Sequence, residues 1–188
     1  MPHSFQISRD SEALFITLVT RNRLPVFKTD PMKEVLCRAI AEARTSGGLL
    51  LFAYVLMPDH MHVLTNKPNS TSAVLRVLKE ITARRVLDYL KEKNYLDSLA
   101  KLQHQERERN YRYSLWQTEK NVLPIFSEGM FMQKVNYIHL NPVRGELVGG
   151  ATEYRWSSAR IWQRCPSEDE LLLVDVERIN WRRSGQRR

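Results

Sequence analysis

Residues 55–64 read Val55-Leu56-Met57-Pro58-Asp59-His60-Met61-His62-Val63-Leu64, an apolar run, a proline and then two histidines one residue apart. This stretch decides the fold because it predicts a hairpin. Leu49 to Met57 reads as a buried strand, and Pro58-Asp59 turns the chain. His60 to Thr65 is short, β-branched and bounded by Asn66-Lys67-Pro68, as expected of a strand paired with the one before it. Side chains two apart on a strand leave the same face, so His60 and His62 point together off the sheet.

Working outward, Ala13 to Thr20 is rich in β-branched and aromatic residues and predicts an earlier buried strand, ended by Arg21-Asn22-Arg23. Thr29-Asp30-Pro31 supplies an N-cap and a proline for a first helical turn. Val35, Leu36, Ala39, Ile40 and Ala43 then recur at helical spacing until Gly47-Gly48. Beyond the histidines, Asn69 to Ser72 caps a long helix whose apolar positions are Val74, Leu75, Leu78, Ile81, Leu87 and Leu90. The order strand, helix, strand, strand, helix implies an α+β fold, a split βαβ sheet with helices packed on one face. Residues 94–118 are charged and only partly periodic. They predict a short helix and then a loop or strand near Tyr113 to Trp116. A further helix is expected from Ser127 to Leu140, stopped at Asn141-Pro142 because proline disfavours α conformation in the residue before it.

The chain has 188 residues, enough for one domain of ordinary core size, expected over residues 1–179 and followed by a basic, mobile tail at 180–188. Lys and Arg number 29 against 21 Asp and Glu, a formal charge of +8 whose field favours polyanions, nucleic acid first among them. The two cysteines, Cys37 and Cys165, match no disulfide or metal spacing, and the N-terminal residues lack the pattern of a secretory signal. The longest apolar run is too short to span a bilayer. A cytoplasmic location is expected.

Two neutral imidazoles side by side can chelate a divalent ion while leaving positions for a third ligand and a substrate oxygen. The plain alternative is a pair of ordinary hairpin histidines. An HxHxDH metallohydrolase needs Asp and His where Leu64 and Thr65 stand, and zinc-finger and HExxH patterns are missing, as is a GxxxxGK[ST] nucleotide loop. The second informative stretch is Gln133 to Val148. At ~100° per residue, Phe131, Val135 and Ile138 share one helix side, whereas Lys134, Tyr137 and Asn141 share the adjacent one. His139 points elsewhere. Tyrosine, carboxamide and lysine beside a two-histidine metal site suit phosphoryl transfer, in which a tyrosine nucleophile conserves the bond energy in a phosphotyrosyl link. Taken singly, Tyr137 also fits a half-buried tyrosine at a helix end, and Asn141 a helix cap.

Met57 to Leu64, then Tyr137-Ile138-His139-Leu140-Asn141-Pro142-Val143-Arg144, then Tyr154-Arg155-Trp156-Ser157-Ser158-Ala159-Arg160 stand in an order that resembles the single-tyrosine HUH transposases, the REP-associated tyrosine transposases (RAYTs) in particular. The resemblance runs from about Phe15 to Trp162. It implies a ferredoxin-like or RRM-like antiparallel sheet with helices on one face and the HUH motif on a central strand. It also implies a Mg2+- or Mn2+-dependent endonuclease and strand transferase. Such an enzyme acts on single-stranded DNA at REP-type hairpins, leaving a 5′-phosphotyrosine and a free 3′-OH. His60 and His62 would then be metal ligands and Tyr137 the nucleophile. Asn141, four residues on where related transposases carry Gln, would be the third ligand. The family's usual Asn-Pro-Val-Arg-Ala-Gly-Leu-Val is here Asn141-Pro142-Val143-Arg144-Gly145-Glu146-Leu147-Val148. Two rival readings remain: a catalytically weak hairpin-binding protein, and a metal phosphodiesterase that uses water.

Aromatic and basic residues interleave outside these motifs, at Tyr111, Arg112, Tyr113 and Trp116 and again at Tyr154, Arg155, Trp156, Arg160 and Trp162. Unpaired bases stack on such rings while arginines take phosphates. The alternative for each tryptophan is a place in the core. Arg76, Lys79, Arg84 and Arg85 on the long helix form a phosphate-contacting face or a merely solvated one. The expected DNA contacts are Lys134, Arg144, Lys79, Arg112, Trp116, Arg155 and Trp156. A bacterial protein of this kind would be nucleoid-associated when bound to DNA. Monomer and homodimer are both compatible with the sequence.

Overall fold

The computed structural model describes residues 4–103, 112–119 and 121–181. Strands β1 (Ala13–Val19), β2 (Leu51–Leu56), β3 (His60–Asn66) and β4 (Asn121–Ile125) form one antiparallel sheet in the order β2-β3-β1-β4. Helix α1 (Asp30–Gly47) joins β1 to β2, and β3 inserts between those two strands, which is the split βαβ arrangement. The histidine strand is therefore central, as expected. Helix α2 (Thr71–Glu92) packs along α1, and the short α3 (Leu96–Leu102) follows it.

Local chemistry accounts for the element ends. Thr29 precedes α1 with proline in the first turn, and Gly48 closes it at φ 61° in the left-handed region. The Ser70 hydroxyl accepts from the Ala73 N–H and caps α2. The Pro58-Asp59 turn is pinned from outside its own hairpin: Thr20 N–H donates to Asp59 O (2.9 Å) and Phe27 N–H to Pro58 O (2.9 Å). That fixes the first histidine against the end of β1.

Pleating divides the sheet into two faces. Leu14, Ile16, Leu18, Met61 and Val63 lie on one, sealed from solvent under the α1–α2 pair. The opposite face carries Phe15, Thr17, His60 and His62, and helix α4 (Glu128–Arg144) covers part of it.

The strand that closes the sheet is β4, paired with β1 from Ala13↔Ile125 to Thr17↔Asn121, while Tyr113 and Trp116 lie in a loop with isolated bridges to Gln103 and Thr20, one of the two forms expected of that stretch. One expectation is corrected: helix α4 runs through Asn141-Pro142 to Arg144 instead of stopping there. Proline forfeits only its own N–H. The next turn closes through Gly145 N–H to Asn141 O and Leu147 N–H to Pro142 O, both 2.9 Å.

The stretch Tyr154 to Trp162, which includes helix α5 (Ala159–Trp162), seals the outer edge of β2. Leu56 N–H donates to Trp156 O (2.9 Å), Ser158 N–H to Tyr54 O (3.0 Å), the Tyr154 hydroxyl to Leu56 O (2.7 Å) and Trp162 Nε1–H to Phe52 O (2.8 Å). Of the expected tail, Asn180 N–H donates to Phe5 O and Trp181 packs near Phe131 and Trp162; residues 182–188 lie outside the described residues, as does Tyr111. No described helix is long and apolar enough to cross a membrane.

Candidate active site

His60 and His62 leave β3 on the same face with ring centres 4.9 Å apart. Each ring is oriented through Nδ1. The His60 Nδ1–H donates to the Asp59 carboxylate at 2.6 Å, which leaves the Nε2 lone pair free. Asp59 is itself paired with Arg23 at 3.0 Å. Burial works to raise the Asp59 pKa, but the hydrogen bond and charge of His60, with help from Arg23, outweigh it and hold the carboxyl below its usual range. Arg23 reaches back because Asn22 and Arg23 both sit at positive φ, 54° and 52°, reversing the chain straight after β1.

His62 Nδ1 lies 2.8 Å from Thr17 Oγ1, its cross-strand partner on β1. With Nδ1 engaged by the hydroxyl, Nε2 is the nitrogen left over, and this buried Nε2 has no hydrogen-bond partner among the described residues. Burial, followed by the charges of His60 and Lys134, pushes the His62 pKa down to about 3. The ring therefore stays neutral, as a ligand must be. An orphaned, neutral imidazole nitrogen beside a second one held by a carboxylate fits a divalent cation. Among the described residues no three His, Cys, Asp or Glu side chains form a metal-holding group, so a third protein donor would have to be another type, such as the Asn141 carboxamide.

Tyr137 stands over this pair. Its ring centre is 5.3 Å from that of His62 and 5.8 Å from that of Phe15. Lys134 Nζ and Arg144 Cζ each lie 5.4 Å from the Tyr137 ring centre. The continuation of α4 past Pro142 is what brings Arg144 there. One open cavity of about 520 Å³ is lined by Thr17, Arg23, His60, His62, Tyr137, Asn141 and Arg144 together with Val19, Met57, Asn121 and Gly145. The histidine strand and the tyrosine helix thus meet at one cavity. His139 is buried apart from them, its Nε2 2.9 Å from Ser158 Oγ.

The other expected DNA contacts do not join this site. Trp116 is buried, with Nε1–H donating to Thr82 Oγ1 at 2.9 Å, and Trp156 is buried with Nε1–H donating to Asp30 Oδ1 at 3.0 Å. Their faces are spent on the core, so neither offers a stacking platform. Arg155 lies over the Trp156 ring and pairs with Asp169 at 2.7 Å. Lys79 Nζ donates to Gln117 O at 2.8 Å, and Arg112 lies over Tyr113. Sequence reasoning missed Thr17, Arg23, Asp59 and Asn121. Asp59 carried a signal, a carboxylate next to a candidate ligand; the others needed the strand register or the turn.

Two imidazoles, a phenol, a carboxamide and an arginine line one open cavity, and a lysine lies over the phenol ring. The profile of IS200-like transposases matches residues 13–139, and the chain belongs to that family. Its fold is similar to that of a REP-associated tyrosine transposase solved bound to a REP hairpin. The identity is 19%, the TM-score 0.59, and the match covers 94% of this chain and 92% of that one. A candidate transposase from Deinococcus radiodurans R1 matches at 22% identity and a TM-score of 0.42, over 68% of this chain and 87% of that one. No curated protein matches.

Proposed function

We propose that this chain is a metal-dependent single-strand DNA endonuclease and strand transferase of the REP-associated type, acting at REP-type hairpins through a 5′-phosphotyrosine intermediate. The observation that carries the reading is Tyr137 facing His62 across a cavity that also holds His60 and Asn141. Family membership and the motif order support it.

The Tyr137 oxygen attacks the scissile phosphorus. A tyrosyl P–O bond forms and the P–O3′ bond breaks; the phenol loses a proton and the departing 3′ oxygen gains one. The 5′ phosphate stays on the protein. A 3′-OH then reverses the exchange and joins two strands, without a nucleotide triphosphate and in keeping with the lack of a Walker loop. His60, His62 and Asn141 would hold Mg2+ or Mn2+, which when bound draws charge from the phosphate. Lys134 and Arg144 supply positive charge along the strand's path. Asp59 and Thr17 fix the two imidazoles, and the open cavity admits an unpaired strand.

The test is a denaturing gel of protein with labelled hairpin DNA and Mn2+. Wild type is expected to give a slow covalent band that Tyr137→Phe and His62→Ala abolish. Cleavage that persists in Tyr137→Phe without a covalent band would establish a water-using phosphodiesterase. Binding without any cleavage across hairpins and metals would establish a hairpin-binding protein.

A further inference from the structure

We propose that the catalytic cavity continues into a second hollow that accepts one unpaired nucleobase of the strand beside the scissile phosphate; this rests on the single-strand reading above. The hollow measures about 240 Å³ and is lined by Phe15, Thr17, Asn121, Val122, Leu123 and Lys134. Thr17 and Asn121 wall both it and the catalytic cavity, so the two spaces adjoin.

Strand register creates the hollow. Thr17 lies opposite Asn121 and Phe15 opposite Leu123, and cross-strand partners share a face. A polar row, His62-Thr17-Asn121, is therefore followed two residues along by an apolar row of Phe15 and Leu123. Leu123 is 41% exposed, an isobutyl group held out on the sheet beside a polar cavity. Lys134 Nζ lies 4.8 Å over the Phe15 ring and borders the same space.

An apolar floor, a carboxamide at one side and an ammonium at the other match the parts of a nucleotide. The base lays its face on Leu123, Asn121 meets a polar base edge and Lys134 meets the phosphate. The substrate is a polymer, so chain next to the reacting phosphate must lie somewhere against the protein. This hollow adjoins the site and complements it in charge.

The experiment uses Tyr137→Phe protein, which keeps the DNA intact, with fluorescein-labelled hairpin DNA carrying a single-stranded flank. Flank nucleotides are replaced by abasic residues one at a time. At one position the abasic residue is expected to weaken binding about tenfold. Adding Leu123→Ser should weaken the unmodified DNA by a similar factor and erase the penalty at that same position. Independent penalties that multiply, no sensitive position, or no effect of Leu123→Ser would each overturn the proposal. Failure of the parent reading is seen separately, as absence of the covalent band in wild type. Coupling between Leu123 and one base without that band would keep the subsite and remove the strand-transfer chemistry.

Discussion

At the scale of single residues, the site depends on side chains that touch neither tyrosine nor substrate. Asp59 fixes which His60 nitrogen carries the proton, and the Thr17 hydroxyl, able to donate or accept, holds the His62 ring in place. Asp59→Ala should lower Mn2+ affinity about 10- to 100-fold by calorimetric titration, with Asp59→Asn restoring part of it, since an amide oxygen still accepts from Nδ1–H. An unchanged affinity would show that His60 needs no partner. His139 predicts a pH effect on stability instead. Burial holds its pKa at about 4, below the ordinary 6.5. Between those values the unfolded chain binds a proton that the folded chain refuses. Stability therefore falls as pH drops through that window, on the order of 3 kcal/mol, and this contribution levels off below it. His62 acts in the same sense and down to about 3. Urea denaturation at pH 7, 5.5 and 4 should show a shallower decline for His139→Gln than for wild type.

At the scale of elements, the long periodic segments were legible and the short closing ones were not. Strand β1, the histidine hairpin and helices α1 and α2 follow apolar patterning and caps that sequence displays directly. Strand β4, Asn-Val-Leu-Pro-Ile, has five residues with a proline among them, and its outer positions face solvent. Its pairing with β1 is a long-range event without a local signature. The aromatic stretch before it, which reads equally as loop or strand, sends Leu115 and Trp116 into the core. The end of α4 carries a departure whose cost is now visible. Glu146 lies at φ 56°, where the family's usual motif has glycine. Leu147 N–H to Pro142 O and Glu146 N–H to Val143 O close the helix as in a Schellman motif. Glu146→Gly should therefore raise unfolding stability by about 1 kcal/mol in urea titration. A loss would mean that the glutamate side chain makes contacts worth more than the strain.

At the scale of the whole molecule, the formal charge of +8 draws the chain towards polyanions, but the fold decides which cations are free to meet one. Arg155 is tied to Asp169, and Arg84 and Arg85 to Glu42, while Lys134 and Arg144 lie over the Tyr137 ring with no ion-paired carboxylate among the described residues. For single-stranded DNA, each phosphate neutralised contributes about 0.7 to the slope of log affinity against log salt. Lys134→Ala should reduce that slope by about this amount in fluorescence titrations from 50 to 300 mM salt, a range of ~50 to ~300 mM chosen to span strong and weak screening, whereas Arg155→Ala should leave it unchanged. Equal losses would return Arg155 to the DNA surface. By itself the sequence determined the histidine hairpin, the helical face shared by Lys134, Tyr137 and Asn141, and the motif order of the family, because periodicity and spacing are local. The tertiary structure decided that Trp116 and Trp156 are core, that the Tyr154 to Trp162 stretch seals a strand edge, and that Thr17, Asp59 and Arg23 hold the imidazoles. Those assignments depend on strand register and on which surface each side chain meets, and such contacts exist only once segments distant in the chain have packed together.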